Sequence, residues 1–317
     1  MEGQGVAHRS APVTDQDEPF ASCLRPGVGT VSRWTSESGS RGEAVVLQCC
    51  PNGARPGGDT PALPATPDDL ARDAAAVAAL GVRSFHVHPR DEHGRESLDP
   101  DVVAATVGAI RQAAPSLEVG VPLARWVEPN AFRRTEIAQE WARLPSHRRP
   151  DVLAVSVHER GWETVCEAVA SVGLGIELGV WTTGDAVQLR LAGVPVNTVR
   201  IAVEVTVTDP DTAVAEAVRL LRALQPMPVP VPVLLHGEED GAWPVLEYAR
   251  REGFDTRMGF EDTLYGPDGI WLATGNEELI RFALGQPVGP RLGPRRSARR
   301  GLFGGGLGFG RSGAHRG

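Results

Sequence analysis

Eight short apolar runs, separated by longer amphipathic segments, recur between Ala44 and Phe260 of this 317-residue chain. The runs are Ala44 to Cys50, Ser84 to His88, Leu117 to Val121, Val152 to Val157, Leu174 to Leu178, Thr198 to Val205, Val233 to His236 and Thr256 to Phe260. Consecutive parallel strands need a crossover long enough to hold a helix, so this alternation predicts βα units and one parallel sheet. Eight repeats over roughly 240 residues match a single closed (β/α)8 TIM barrel of the α/β class better than an open doubly wound sheet. Thr66-Pro67, Asp99-Pro100 and Asp209-Pro210 each set a capping side chain before a proline at the first helical position. Leu70, Ala74 and Val77 then recur at helical spacing, and Gly81 stands where a left-handed C-terminal cap belongs. Pro228, Pro230 and Pro232 cannot donate ladder hydrogen bonds, so the seventh strand is expected to pair only from about Val233. The barrel is assigned to residues 43–287. Residues 1–42, rich in Gly, Ser, Thr and charge, read as a disordered extension, and 288–317 as a disordered basic Gly/Arg-rich tail.

Every one of the 32 Lys and Arg residues is arginine. Without lysine the chain cannot form the Schiff base used by one class of aldolases, so carbon–carbon bond chemistry here needs another electrophile, for which a metal ion is the ready replacement. The seven arginines of 288–317, with no acid beside them, leave a net charge of −15 on everything before them. An acidic body argues against nucleic acid as the main partner. Cys23, Cys49, Cys50 and Cys166 show neither CxxC spacing nor the density of a disulfide scaffold, which fits a reducing cytoplasm. No apolar run approaches the roughly 20 residues of a membrane span, so no membrane partner is expected.

Chemistry concentrates in Phe85-His86-Val87-His88-Pro89-Arg90-Asp91. Alternate residues of a strand share a face, so His86 and His88 project together and supply half of a tetrahedral zinc site. The active site of a parallel barrel gathers at the C-terminal ends of its strands, where His158, Glu159, Glu177, Glu204, His236, Arg257, Glu261 and Asp262 stand. Arg257, Gly259 and Glu261 would share a face on the eighth strand, so Glu261 can complete a His-His-Glu set. Glu177 and Glu204 read first as acids paired with neighbouring arginine and second as substrate contacts. His158 and His236 stay open between substrate contact and simple hydrogen bonding. Arg257 with Asp262 reads either as a catalytic pair or as an ion pair closing the barrel. Cys49 and Cys50 read as small core hydrophobes.

With Asn52-Gly53-Ala54-Arg55, the HVHPRD run, Ile176-Glu177-Leu178-Gly179-Val180-Trp181 and Arg257-Met258-Gly259-Phe260-Glu261-Asp262-Thr263-Leu264-Tyr265-Gly266-Pro267-Asp268-Gly269, the chain resembles the β-keto acid cleavage enzyme family from Ala44 to Leu284. The resemblance implies a (β/α)8 homo-oligomer, dimer or tetramer, binding one Zn2+ through His86, His88 and Glu261. It implies condensation of a β-keto acid with acetyl-CoA and cleavage of the adduct to acetoacetate and a new CoA thioester. Asp262, working with Arg257, would abstract the proton. Asn52, Arg55, Arg125, Glu177, Glu204 and His236 are the expected substrate contacts.

Two departures from the family pattern stand out. The Ser-Thr-Gly type loop after strand three is replaced by Pro122-Leu123-Ala124-Arg125-Trp126, and the Ser-Val-Asn after strand four by Ala154-Val155-Ser156. Arg55 occupies the place of an acid that receives an amino substrate, so an acidic or neutral keto acid is expected, held by Arg55 and Arg125. The alternatives are a mononuclear metal hydrolase or deaminase with His158 or His236 as third imidazole, and a relative that keeps the metal without turnover.

Overall fold

The computed structural model describes residues 45–225 and 231–288, in which eight parallel strands alternate with eight α-helices. The strands are β1 Leu47–Cys49, β2 Ser84–His86, β3 Glu118–Pro122, β4 Val152–Ser156, β5 Gly175–Val180, β6 Thr198–Val205, β7 Val233–Gly237 and β8 Thr256–Met258. The helices are α1 Pro67–Ala79, α2 Pro100–Ala113, α3 Ala131–Ala142, α4 Trp162–Ser171, α5 Thr183–Ala192, α6 Pro210–Leu224, α7 Ala242–Glu252 and α8 Asn276–Ala283. Each strand from β1 to β6 pairs with its successor and β1 pairs with β8, with Leu47, Gln48 and Cys49 opposite Thr256, Arg257 and Met258. The ring closes between β7 and β8, where Leu235 N donates to Asp255 O at 2.8 Å and Asp255 N to Val233 O at 3.1 Å. The fold is a TIM barrel. The expected extension at 1–42, the expected tail beyond Val288, and Pro228 and Pro230 lie outside the described residues. Among the described residues no helix is long and apolar enough to cross a membrane.

Local chemistry explains the boundaries. Thr66 accepts from Asp69 N while Asp69 reaches back to Thr66 N, a reciprocal cap that starts α1 at Pro67. Asp99 and Asp209 accept from the first-turn amides of α2 and α6. Gly81, at φ 98°, ends α1 in the left-handed conformation its position predicts. Strand β7 begins at Val233, just past Pro232. The faces of α1 (Leu70, Ala74, Val77) and α6 (Ala217, Leu220, Leu221, Leu224) are buried together with Phe85, Leu153, Leu178 and Leu235 of the strands.

One polar layer crosses the barrel interior. Gln48 Nε2 on β1 donates to Ser84 Oγ on β2 at 3.1 Å and to Glu177 Oε2 on β5 at 2.8 Å. Strands β1 and β5 stand on opposite sides of the ring, so the second bond spans it. Arg200 on β6 closes the network, donating to Ser84 Oγ at 3.1 Å and lying 3.6 Å from Glu177. Burial opposes charge on Glu177, yet Arg200 and His86 hold its carboxyl below the usual range. Glu177 is thus paired with Gln48 and Arg200 on one side, and its Oε1 lies 3.6 Å from His86 Nδ1 on the other.

Candidate active site

Strand β2 ends at His86, and the amide of Val87 continues the ladder to Gly120 O at 2.9 Å, so His88 follows in an extended segment. The two imidazoles converge as the strand alternation predicts, with their Nε2 atoms 3.3 Å apart. Glu261 arrives differently from the expectation. Strand β8 stops at Met258, so Glu261 shares no strand face with Arg257; a tight turn carries it inward, with Asp262 N and Thr263 N both donating to Gly259 O. Glu261 N donates to Cys50 O at 3.1 Å, which ties that turn to the segment after β1. One ligand atom from each of His86, His88 and Glu261 lies within 4.8 Å of the others.

Whether these residues fit a metal can be tested on their own atoms. Glu96 Oε2 lies 2.8 Å from His88 Nδ1; a carboxylate only accepts, so a proton sits on Nδ1, which leaves Nε2 as the nitrogen able to give its lone pair to an ion in place of a proton. Glu261 Oε2 is buried without a hydrogen-bond partner, 3.7 Å from that Nε2. Tetrahedral ligands about 2.0–2.1 Å from a zinc ion are separated by roughly 3.3 Å, close to the observed spacings. Burial pushes His86 down to about 4, although Glu261 and Glu177 oppose it. Burial also works against a charged His88, but Glu261 and Glu96 lift it to about 9. Against the same burial, Arg257, His88 and His86 hold Glu261 well below the carboxylate range. The donor set thus combines an uncharged imidazole, an anionic carboxylate and a nitrogen whose surroundings favour a cation. The residues fit a divalent ion.

Next to this set, Arg257 donates from Nη2 to Glu261 Oε1 and from Nε to Asp262 Oδ1, both at 3.0 Å. Asp262 Oδ2 is buried and without a partner. His236 lies between two acids, its Nδ1 3.4 Å from Asp262 Oδ1 and its Nε2 3.5 Å from Glu204 Oε2. Burial and Arg257 lower His236, while burial pushes Glu204 well above its ordinary range, Glu238 adding to the rise. His236 does not belong to the group whose ligand atoms lie within 4.8 Å of one another. His158 is exposed and packs against Trp181, ring centres 4.3 Å apart. Neither supplies the third imidazole that the hydrolase alternative requires.

Three loops interlock around the ligands, and here two expected substrate contacts have other tasks. Asn52 is fully buried: its Nδ2 donates to His88 O at 2.9 Å and Pro64 O at 3.3 Å, and its Oδ1 accepts from His88 N at 3.0 Å. Its amide is spent on fixing the His88 backbone. Arg55 pairs with Glu239 at 2.6 Å and donates to Phe260 O, so its charge is neutralised and it braces the turn that carries Glu261. Arg90 donates to Gly53 O at 2.9 Å and Arg55 O at 2.6 Å, joining HVHPRD to NGAR. Arg125 is exposed in the loop after β3.

Glu96 was invisible to strand-end reasoning because it lies beyond the strand. The signal was a turn: Asp91 and Gly94 are the outer residues of a reversal in which Gly94 N donates to Asp91 O at 2.9 Å and Glu96 bridges back to Arg90. The buried pair Arg134–Glu159 was also missed, since a helix arginine with no exposure has no sequence signature.

A family model described as beta-keto acid cleavage enzyme matches residues 44–286. Among solved structures, the apo structure of ObcA superposes with a TM-score of 0.55 at 15% identity, covering 71% of this chain and 61% of that one. The ternary complex of ObcA with C4-CoA adduct and oxalate gives 0.53 at 15%, covering 71% and 63%. A type I 3-dehydroquinate dehydratase from Clostridium difficile gives 0.51 at 9%, covering 72% and 89%. At such identities the likeness is one of fold, and the chain spans about three-fifths of the length of ObcA.

Proposed function

The chain belongs to the β-keto acid cleavage enzyme family, and from that premise we propose that it condenses a β-keto acid with acetyl-CoA and cleaves the adduct to acetoacetate and a new acyl-CoA. The observation that carries this reading is the convergence of His86, His88 and Glu261 beside the Arg257–Asp262 pair. His86, His88 and Glu261 would hold one Zn2+, which when bound supplies a positive charge against the keto oxygen as negative charge develops there. Asp262 takes up the proton from the carbon between the keto and carboxylate groups at Oδ2, its free oxygen. Arg257 grips the other oxygen, which orients the carboxylate. His236 buttresses Asp262 from the far side, and Glu204 buttresses His236. Arg125, exposed after β3, is the cation we assign to the substrate carboxylate or its CoA partner. The same reading takes the protein as a cytoplasmic homo-oligomer with its catalytic barrel at 43–287; three buried free thiols, Cys49, Cys50 and Cys166, agree with a reducing compartment.

The test is zinc content together with acetyl-CoA-dependent acetoacetate formation across a panel of β-keto acids, for wild type and Glu261→Ala. Near-stoichiometric zinc that falls in the variant, with turnover that needs acetyl-CoA, is the expected result. Bound zinc with no turnover on any keto acid would favour the relative that keeps its metal but not its chemistry, and absence of zinc would end the ligand assignment.

A further inference from the structure

The loop after β3 places an aromatic wall beside the His86–His88–Glu261 set. The indole of Trp126 lies nearly parallel to the His88 imidazole, 18° between planes and 6.1 Å between centres. Its Nε1 donates to Glu96 Oε2 at 3.1 Å, the same oxygen that receives His88 Nδ1. The loop itself is clamped. Arg125 N donates to Glu159 Oε1 at 3.2 Å, the buried Arg134 pairs with that carboxylate and donates to Leu123 O at 3.2 Å, and Leu123 N donates to Ala154 O at 3.0 Å. Val127 N and Glu128 N both turn back onto Ala124 O. Trp126 is thus held by a stack, a hydrogen bond and a braced backbone, yet 44% of its surface remains open to water.

A rigid, open indole next to a ligand-binding centre is apolar area offered at little entropic cost. We infer that Trp126 selects the substrate, favouring β-keto acids whose acyl group is apolar and large enough to lie against the indole. The inference rests on the keto-acid reading of the site. Hydroxyls at this loop would solvate a polar acyl chain; an indole cannot, and it gains only when water is displaced by carbon. Covering about half of the open surface is worth about tenfold in affinity, from roughly 25 cal/mol per Å² of apolar area.

The experiment compares two probes, 3-oxo-3-phenylpropanoate and the dianionic 3-oxoadipate, in wild type, Trp126→Ala and Trp126→Phe. Trp126→Ala should raise KM for the phenyl probe about tenfold with kcat nearly unchanged, leave 3-oxoadipate within about twofold, and Trp126→Phe should recover most of the loss. Zinc content, measured in parallel, should stay at the wild-type level. Equal losses on both probes, or loss of zinc, would mean that Trp126 only props Glu96 and His88, and would overturn the inference. Should zinc-loaded wild type turn over no keto acid of the wider panel, the keto-acid reading fails on its own; calorimetric binding of the two probes without acetyl-CoA still decides whether the indole discriminates.

Discussion

Gly53 offers a sharp perturbation of the metal-binding set without touching a ligand. It sits at φ 54°, and a Cβ built there would lie 2.4 Å from Glu261 Cγ, 2.9 Å from its Cβ and 3.0 Å from its Cδ. Ordinary carbon contacts are about 3.5–4.0 Å, so Gly53→Ala must push the Glu261 side chain by about an ångström or move the loop. The left-handed backbone adds about 1–2 kcal/mol of strain. With strain and repacking together the variant should lose about 2–4 kcal/mol, or about 5–15 °C in Tm for a domain of this size. Displacing one of three ligands should weaken zinc binding by at least the 10- to 100-fold typical of lost ligand support. Competition titration with a chromophoric chelator reads the affinity and thermal unfolding reads the stability. Two controls separate the causes. Gly81→Ala has the same left-handed strain, at φ 98°, with nothing within 4 Å, and Gly57→Ala has neither strain nor contact. The first should lower Tm and keep zinc affinity; the second should change neither. Gly53→Ala that binds zinc as wild type does would refute the packing of Gly53 under Glu261 as the support of that ligand.

Two further outcomes follow from buried charge. Arg134→Met leaves the Glu159 carboxylate, 3% exposed, without its countercharge; the loss should be about 3–5 kcal/mol, partly restored in Arg134→Met/Glu159→Gln, and a single variant as stable as wild type would sink the pairing. Burial raises Asp73 to about 6, while its bond from Asn276 Nδ2 at 2.7 Å works the other way. The folded chain therefore holds this proton more tightly than the unfolded one, so the contribution to stability is complete below about pH 4 and lost as pH rises through about 6. Asp73→Asn should match wild type near pH 4 and exceed it by about 3 kcal/mol near pH 8, as read by Tm; a difference independent of pH would refute the assignment.

What could be read in the sequence was what depends on neighbours along the chain. Strand β6 spans Thr198–Val205 as its apolar run predicts, and α1, α2 and α6 start at the prolines that follow their caps. The His86–His88 convergence was legible for the same reason, since strand periodicity alone aims both rings. Glu261 reaches the expected neighbourhood by an unexpected route: the turn that carries it starts at Gly259, where a Cβ would lie 2.0 Å from Cys50 O, a contact that exists only once β8 docks against the segment after β1. The family resemblance points Arg55 and Asn52 toward substrate, but their partners, Glu239 and the His88 backbone, come from other βα units. Partners distant in sequence decide whether a polar side chain is free for a ligand, and no local pattern reveals them.

The interlock among the loops after β1, β2 and β8 also orders events in time. The first βα unit supplies Asn52 and Gly53, the second supplies both imidazoles, and the last supplies the carboxylate and its arginine. A chain emerging from N- to C-terminus presents two imidazoles long before Glu261 exists to join them. If the three residues hold a metal as proposed, tight capture would wait on the last strand's arrival, because a chain that stalls before β8 offers an ion no carboxylate.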